Sequence, residues 1–364
     1  MQQRNPFTPS FGIVPEYLAG RDAMLREMAR AFQNGVGDPN LATVIIGARG
    51  SGKTALLACV GDEARPAGWI VVDTVAAPGM LEDIVQRTAA EVSALIDLPN
   101  RSHLSGITIG QIIGLEWVTD ELSQANWRTR MTALLDELGE RDVGLVITVD
   151  EIDPSVDELV QLASLYQLFV RERRQVALIM AGLPKNATDL IDDPRVTFLR
   201  RARKRRLERI SDADVRLALR KSFESTEKSI SDDLLETMVE ASGGFPYMMQ
   251  LVGYGVWAEA ADSDCVSPEH VKRGLAYARE EFEENVLRST VRDMSPGDKN
   301  FVHAMLADGG EPSRITDIAR RMGKGANYAS TYKTRLLKQG VVSELDDGRV
   351  YFAIPLLHEF LERA

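Results

Sequence analysis

The chain has 364 residues, 44% of them hydrophobic and 27% charged, and a formal net charge of −11. That length accommodates two or three domains with cores of their own, and the composition is ordinary for a globular protein. No apolar run is long enough to span a bilayer and no signal-peptide pattern opens the chain, so no membrane contact is expected.

An acidic balance of this size argues against a surface coated in nucleic acid but leaves room for a local basic face. Cys59 and Cys265, the only cysteines, lack metal-ligand spacing, which suits a reducing cytoplasm. His103, His270, His303 and His358 are scattered, which argues against a zinc site.

Residues 1–40 read as a strap and a helix. Asn5-Pro6-Phe7-Thr8-Pro9 and Phe11-Gly12-Ile13-Val14-Pro15 are too proline-rich for a helix or a central strand. Leu18-Ala19-Gly20-Arg21-Asp22 then opens a helical pattern with Met24, Leu25, Met28, Ala29 and Phe32 on one face. Two readings of the strap stand open: a cover over the core, or a cover over an adenine.

Leu41–Ile46 is apolar and β-branched, as a buried strand is, and Gly47-Ala48-Arg49-Gly50-Ser51-Gly52-Lys53-Thr54 follows it directly. This is a complete G-x-x-x-x-G-K-T phosphate loop between a strand and the helical run that begins at Ala55. Gly47, Gly50 and Gly52 let the backbone curl so that N–H groups, Ser51 included, converge on phosphate oxygens. The helix N-terminus at Lys53, Thr54 and Ala55 adds its dipole. Lys53 is expected to reach the β- and γ-phosphates, and the Thr54 hydroxyl to ligate Mg²⁺. The ligand implied is a nucleoside triphosphate, ATP or its product ADP.

A second strand is expected over Trp69–Val75 and a helix over Met80–Ile96. Residues 97–118 lose the helical period, and Ser105–Gly110 alternates as an inserted hairpin would; a surface elaboration and a partner contact are both compatible with that. Helix resumes through Met131, Leu134, Leu135 and Leu138. Leu145–Val149 reads as a strand buried on both faces, ending in Asp150-Glu151. Asp150 is placed to hold Mg²⁺ through its water shell and Glu151 to activate the attacking water. Asp153 is expected to cap a helix with Pro154 in its first position. Gln175–Gly182 is the next buried strand. Alternation of these strands with helices predicts an α/β core with a parallel sheet.

Arg200-Arg201-Ala202-Arg203-Lys204-Arg205-Arg206 carries six basic residues in seven. From the residues alone two readings remain open: a solvated turn before the last core strand, and phosphate contact with nucleic acid. Helices fill 211–290, with starts at Ser211, Ser231, Ser267-Pro268 and Ser295-Pro296 and a break at Gly243-Gly244.

Residues 295–364 read as a winged helix. Ile315, Ile318, Ala319 and Met322 share one helical face, and a second helix runs from Asn327 to Gln339. Val341–Leu345 and Arg349–Ala353 flank the turn Asp346-Asp347-Gly348. Asn327, Ser330, Thr331, Thr334 and Lys338 fall on the outer face of the second helix, which suits a DNA major groove, with Lys338 and Arg349 reaching phosphates. The segment is nearly neutral, ten basic against nine acidic residues, which is weak for a DNA binder. DNA and protein both stand as its target.

Gly47–Thr54 with Asp150-Glu151, followed by helices and a small winged domain, resembles the AAA+ ATPases. Leu18-x-Gly20-Arg21-Asp22 and Gly243-Gly244-Phe245-Pro246-Tyr247 resemble the group that spans origin-recognition initiators and the archaeal-type and STAND signalling ATPases. The resemblance implies a P-loop core over 41–210, an all-helical lid over 211–294 and a winged helix over 295–364, with Pro246 near the base or ribose. It also implies a homo-oligomer or a partner protein, sites shared between subunits, and so a third reading of the basic run, an arginine acting on a neighbouring subunit's γ-phosphate, with Arg195 and Arg200 the candidates by position. Two places depart from the family's pattern. Ala181-Gly182-Leu183-Pro184 stands where many members end the fourth strand in a polar sensor, the first candidate being Asn186. Phe245-Pro246 stands where many carry a lid arginine. Both departures point to slow turnover.

The expectation is therefore a cytoplasmic Mg²⁺-dependent ATPase working as a switch on assembly or DNA engagement. The alternative is a signalling scaffold that binds nucleotide and hardly hydrolyses it. A small-molecule kinase also uses such a loop, but Glu151 poised for water and the lack of an obvious acceptor pocket weigh against it.

Overall fold

In the computed structural model, residues 4–10, 12–96 and 123–363 are described; the expected hairpin over Ser105–Gly110, within the stretch 97–118, lies outside them. Five strands form one parallel sheet: β1 (Ala42–Ile46), β2 (Trp69–Val75), β3 (Gly144–Asp150), β4 (Val176–Gly182) and β5 (Arg203–Arg206), in the order β2-β3-β4-β1-β5. β1, β3 and β4 are hydrogen-bonded on both sides and almost wholly buried, which accounts for their unbroken aliphatic runs.

Successive side chains alternate between two cores. Ile45, Val146, Ala177 and Ile179 face α1 (Asp22–Asn34) and α2 (Lys53–Ala64), packing on Met28, Phe32, Leu56 and Val60. Val44, Leu145, Ile147, Leu178 and Met180 face the opposite way. There they meet α3 (Met80–Ile96), α4 (Ser123–Glu140), α5 (Asp157–Arg171) and α6 (Pro184–Asp192).

Two expectations need correcting. The basic run is not a turn ahead of the last strand: Arg203–Arg206 is that strand, paired with β1 from Thr43↔Arg203 to Ile46↔Arg206. An edge strand needs only one neighbour's backbone, so its charged side chains stay in water and discourage pairing with other chains. Nor does α5 begin at Pro154. Asp153 Oδ1 accepts from the Ser155 amide at 3.0 Å and from its hydroxyl at 2.7 Å, closing a local turn, and the helix starts at Asp157.

The second half is helical: α7 (Asp212–Glu224), α8 (Asp232–Ser242), α9 (Pro246–Glu259) and α10 (Pro268–Phe282). A π turn over Glu283–Leu287 leads from α10 into α11 (Arg288–Arg292). Ser211 caps α7 by accepting from the Asp214 amide, and Ser267 caps α10. Then come α12 (Pro296–Leu306), α13 (Ile315–Arg321), α14 (Ala326–Gln339), the antiparallel pair β6 (Val342–Glu344) and β7 (Val350–Phe352), and α15 (Leu357–Arg363). The C-terminal segment thus runs three helices, a hairpin and a last short helix. One buried cluster runs from Phe223 and Val252 through Phe282 to Phe301, Leu336 and Leu357, so the helical part and the C-terminal segment share a core. Among the described residues no helix is long and apolar enough to cross a membrane.

Candidate functional site

The carboxyl ends of β1 and β3 meet at the site, although β4 runs between them. They meet because β4 ends in Ala181-Gly182. The Gly47 amide donates to Gly182 O at 3.2 Å and the Ile152 amide to Ala181 O at 2.9 Å, so both loops fold over the strand end. A β-carbon on Gly182 would lie 2.7 Å from the Ile152 side chain. Ile152 thus fills the space into which a polar side chain at 182 would project. Asn186 does not replace it, because its Nδ2 donates to Ile152 O at 2.8 Å.

Gly50 (φ 75°) and Gly52 (φ 85°) adopt the left-handed backbone that the loop requires. A β-carbon on Gly50 would also lie 2.7 Å from the Phe245 ring, so the residue that precedes α9 rests directly on the loop. Lys53 opens α2, and its Nζ donates to Gly47 O at 3.0 Å and Ala48 O at 2.9 Å. Burial lowers its pKa to about 8, against the pull of Asp150 and Glu151 and with a small push from Arg49. The Thr54 hydroxyl donates to Asp150 Oδ2 at 2.5 Å. Asp150 Oδ1 accepts from the Glu151 amide at 2.8 Å, and Glu151 has φ 52°, a strained conformation for a side-chain-bearing residue. The Ser51 hydroxyl is buried with no protein partner among the described residues.

These groups line a cavity of about 710 Å³ together with residues from three other parts of the chain. The strap supplies Thr8, Pro9, Ile13 and Tyr17; α9 supplies Pro246, Tyr247 and Gln250; the end of α10 and the π turn supply Glu281, Asn285 and Val286. The strap is anchored on α7 and α9. Phe7 is 2% exposed, packs at a tilt against Phe223 with ring centroids 5.3 Å apart, and fills the space that a side chain on Gly253 would take. The Thr8 amide donates to Gln250 Oε1 at 2.9 Å.

Of the expected site residues, the structure brings together Gly50, Ser51, Gly52, Lys53, Thr54, Ala55, Asp150, Glu151 and Pro246 around this cavity, and Gly47 stands at its loop as the acceptor of Lys53. The two arginines lie elsewhere. Arg195 is exposed and paired with Asp193 at 2.8 Å and Asp157 at 3.2 Å, partners that raise its pKa. Arg200 is exposed, with its carbonyl accepting from Lys204. Sequence reasoning missed Arg49, Gln250, Glu281 and Asn285. Only Arg49 carried a signal, as the one cation at a variable position of the phosphate loop.

Residues 17–180 match the family described as AAA ATPase domain. Over these residues the chain is similar to AAA ATPase domains. Residues 284–361 match a family described as a domain of unknown function (DUF8462). No curated protein sequence matches the chain. Among solved structures, the Walker-type ATPase PABY2304 of Pyrococcus abyssi is 15% identical, with 95% of this chain and 96% of that one covered at a TM-score of 0.63. The Aeropyrum pernix ORC2 protein, solved as ADPNP–ADP complexes, is 16% identical over 98% and 95% at 0.51. Cdc6p from Pyrobaculum aerophilum is 16% identical over 97% and 95% at 0.50. At such identities the likeness is one of fold.

Proposed function

We propose that the chain is an ATP-binding and slowly ATP-hydrolysing switch whose nucleotide state governs the engagement of its C-terminal segment. The observation that carries this is the convergence of Lys53, Thr54, Asp150 and Glu151 at the end of one cavity under a glycine loop. We divide the chain into a strap and helix (1–40), an ATPase core (41–210), a helical lid (211–294) and a winged helix (295–364).

Loop amides and the α2 N-terminus receive the phosphates, and Lys53 exchanges its two carbonyl partners for β- and γ-oxygens. The buried Ser51 hydroxyl, lacking a protein partner among the described residues, gains one there. Thr54 and Asp150 already meet at 2.5 Å, a hard-oxygen pair that fits Mg²⁺. When bound, the ion neutralises charge on the phosphates. Glu151 holds the attacking water and takes its proton as the water oxygen bonds to the γ-phosphorus and ADP departs. The strap and Pro246 cover the base. ATP analogue binding with and without Mg²⁺, and phosphate release at single turnover, test this reading.

Specific observations favour a slow or non-hydrolysing scaffold as second reading. Ile152 excludes a sensor at residue 182, Asn186 is tied to backbone, and Arg195 and Arg200 stand outside the cavity. If either arginine acts, it acts on a neighbour's site in a homo-oligomer. As target of the winged helix we retain both a partner protein and double-stranded DNA, the latter also through the exposed 200–206 run. On α14, Asn327, Ser330, Thr331 and Thr334 are exposed. Lys338 instead pairs with Asp189 of the core at 3.7 Å, and Arg349 with Asp347 at 2.7 Å, so neither expected phosphate contact is unengaged. The free thiols Cys59 and Cys265 agree with a reducing cytoplasm.

A further inference from the structure

Three cations line the cavity among the described residues: Arg21, Arg49 and Lys53. Lys53 marks the phosphate end, together with Thr54 and Asp150. Arg21 is committed elsewhere. Its guanidinium donates to Glu208 O at 3.0 Å and lies near the Glu208 and Asp214 carboxylates, at the start of α7. Arg49 differs because it belongs to the phosphate loop itself. It follows Ala48, whose carbonyl holds the Lys53 ammonium at 2.9 Å, and it precedes Gly50. Its positive charge reaches Lys53, where it adds to the lowering of the lysine's pKa. The two cations therefore bear on one region of the cavity.

The contacts that hold Arg49 are easily given up. Its guanidinium donates to Ser289 Oγ at 3.2 Å on α11 and pairs at 3.3 Å with Asp293, which directly follows that helix. The Arg49 and Asp293 side chains are 49% and 54% exposed, and an ion pair so open to water contributes little. Asp293 keeps a second cation, Arg292, at 3.8 Å, and the Ser289 hydroxyl keeps Val286 O at 3.0 Å. No buried charge is stranded when the guanidinium leaves. The loop backbone need not follow it, because the Tyr247 amide donates to Gly50 O at 3.2 Å and fixes the loop one residue on. Only side-chain torsions change.

We propose that Arg49 turns into the cavity when a nucleoside triphosphate binds and grips the γ-phosphate of its own chain's ligand. This rests on the reading of the cavity as a nucleotide site. A triphosphate brings more negative charge than Mg²⁺ and Lys53 offset, and the Asp150 and Glu151 carboxylates add to it. A guanidinium meets phosphate oxygens with paired N–H donors, and such charge-assisted bonds are the strong ones. The contact also serves hydrolysis. As the water oxygen bonds to the γ-phosphorus, Glu151 takes the water's proton and the bond to the β-phosphate oxygen breaks, releasing ADP. Arg49 offsets the charge then spread over the γ-oxygens. ADP lacks those oxygens, so Arg49 tells the two nucleotides apart.

Arg49→Ala tests this, with retained ADP binding as the check that the variant is folded. Affinity for a non-hydrolysable ATP analogue with Mg²⁺ should fall about tenfold, as for loss of one charge-assisted hydrogen bond, while affinity for ADP changes by less than about twofold. Arg49→Lys keeps the charge without the planar fork and should recover part of the loss. Asp293→Asn frees the guanidinium and should not weaken analogue binding. If Arg49 only braces the loop on α11, Asp293→Asn reproduces the loss and Arg49→Ala weakens both nucleotides together. Either of those results, or an analogue affinity unchanged in Arg49→Ala, overturns the inference while leaving the nucleotide site standing. An unsubstituted chain that binds neither nucleotide removes both.

Discussion

Lys53 sets a pH dependence on nucleotide binding that an ordinary loop lysine would not show. Its free ammonium is buried between two carbonyls, and desolvation brings its pKa to about 8 from the model-peptide value of 10.5. A polyphosphate laid against it favours the charged form and drives the pKa back up. The free protein therefore loses a proton as pH rises through about 8, while the complex keeps it. Below about pH 8 both states are protonated and affinity is flat. Above it, binding must take up a proton, and the dissociation constant rises toward about tenfold per pH unit. One unit above the pKa only about a tenth of the free protein holds the charged lysine, so affinity near pH 9 should be about tenfold weaker than near pH 7. Titration of a fluorescent ATP analogue across that range measures it. Calorimetry in buffers of different ionisation enthalpy measures the proton taken up. Lys53→Arg, which stays charged throughout, should flatten the curve. An affinity independent of pH between about 7 and 9.5, with no proton uptake, would refute the buried-lysine argument.

Glu151→Gln should keep nucleotide binding but slow hydrolysis by about 10²–10⁴-fold, read as phosphate release at single turnover. Phe7→Ala empties a site that is 2% exposed and should cost about 3–5 kcal/mol of stability in chemical denaturation. The same change should weaken analogue binding, because the strap that lines the cavity loses its anchor; unchanged affinity would make the strap a cover over core only. If an arginine acts between subunits, mixing Arg200→Ala or Arg195→Ala protein with Lys53→Ala protein should restore turnover lost in each alone. If α14 reads duplex DNA, Asn327→Ala should blunt preference between sequences. Binding should also weaken with salt by a log–log slope of about −0.9 per phosphate contact.

Much of the site was readable in the chain because its chemistry is local. Glycine at 47, 50 and 52, a lysine and a hydroxyl at the helix start, and a carboxylate pair ending an aliphatic run each have few alternative explanations. β5 was not readable: Arg203–Arg206 is a strand only because β1 offers it a backbone to pair with, which no property of four basic residues announces. The start of α5 was misplaced because Asp153 closes a side-chain turn on Ser155 that competes with helix capping. The missing polar sensor was visible as Ala181-Gly182, but its cause, the Ile152 side chain lying against Gly182, belongs to packing between two loops. The cavity's far wall escaped for the same reason. Thr8, Gln250 and Asn285 come together through the burial of Phe7 against α7 and α9 and through a π turn, neither of which leaves a pattern in sequence.

The most direct test of nucleotide binding is isothermal titration of ATP with Mg²⁺ into the purified full chain and into Lys53→Ala. Binding of one ATP per chain, abolished in Lys53→Ala, is the predicted result, since the loop loses the cation aimed at the β- and γ-phosphates. Absence of binding by the unsubstituted chain, or equal binding by Lys53→Ala, would contradict the assignment of this cavity to a nucleoside triphosphate.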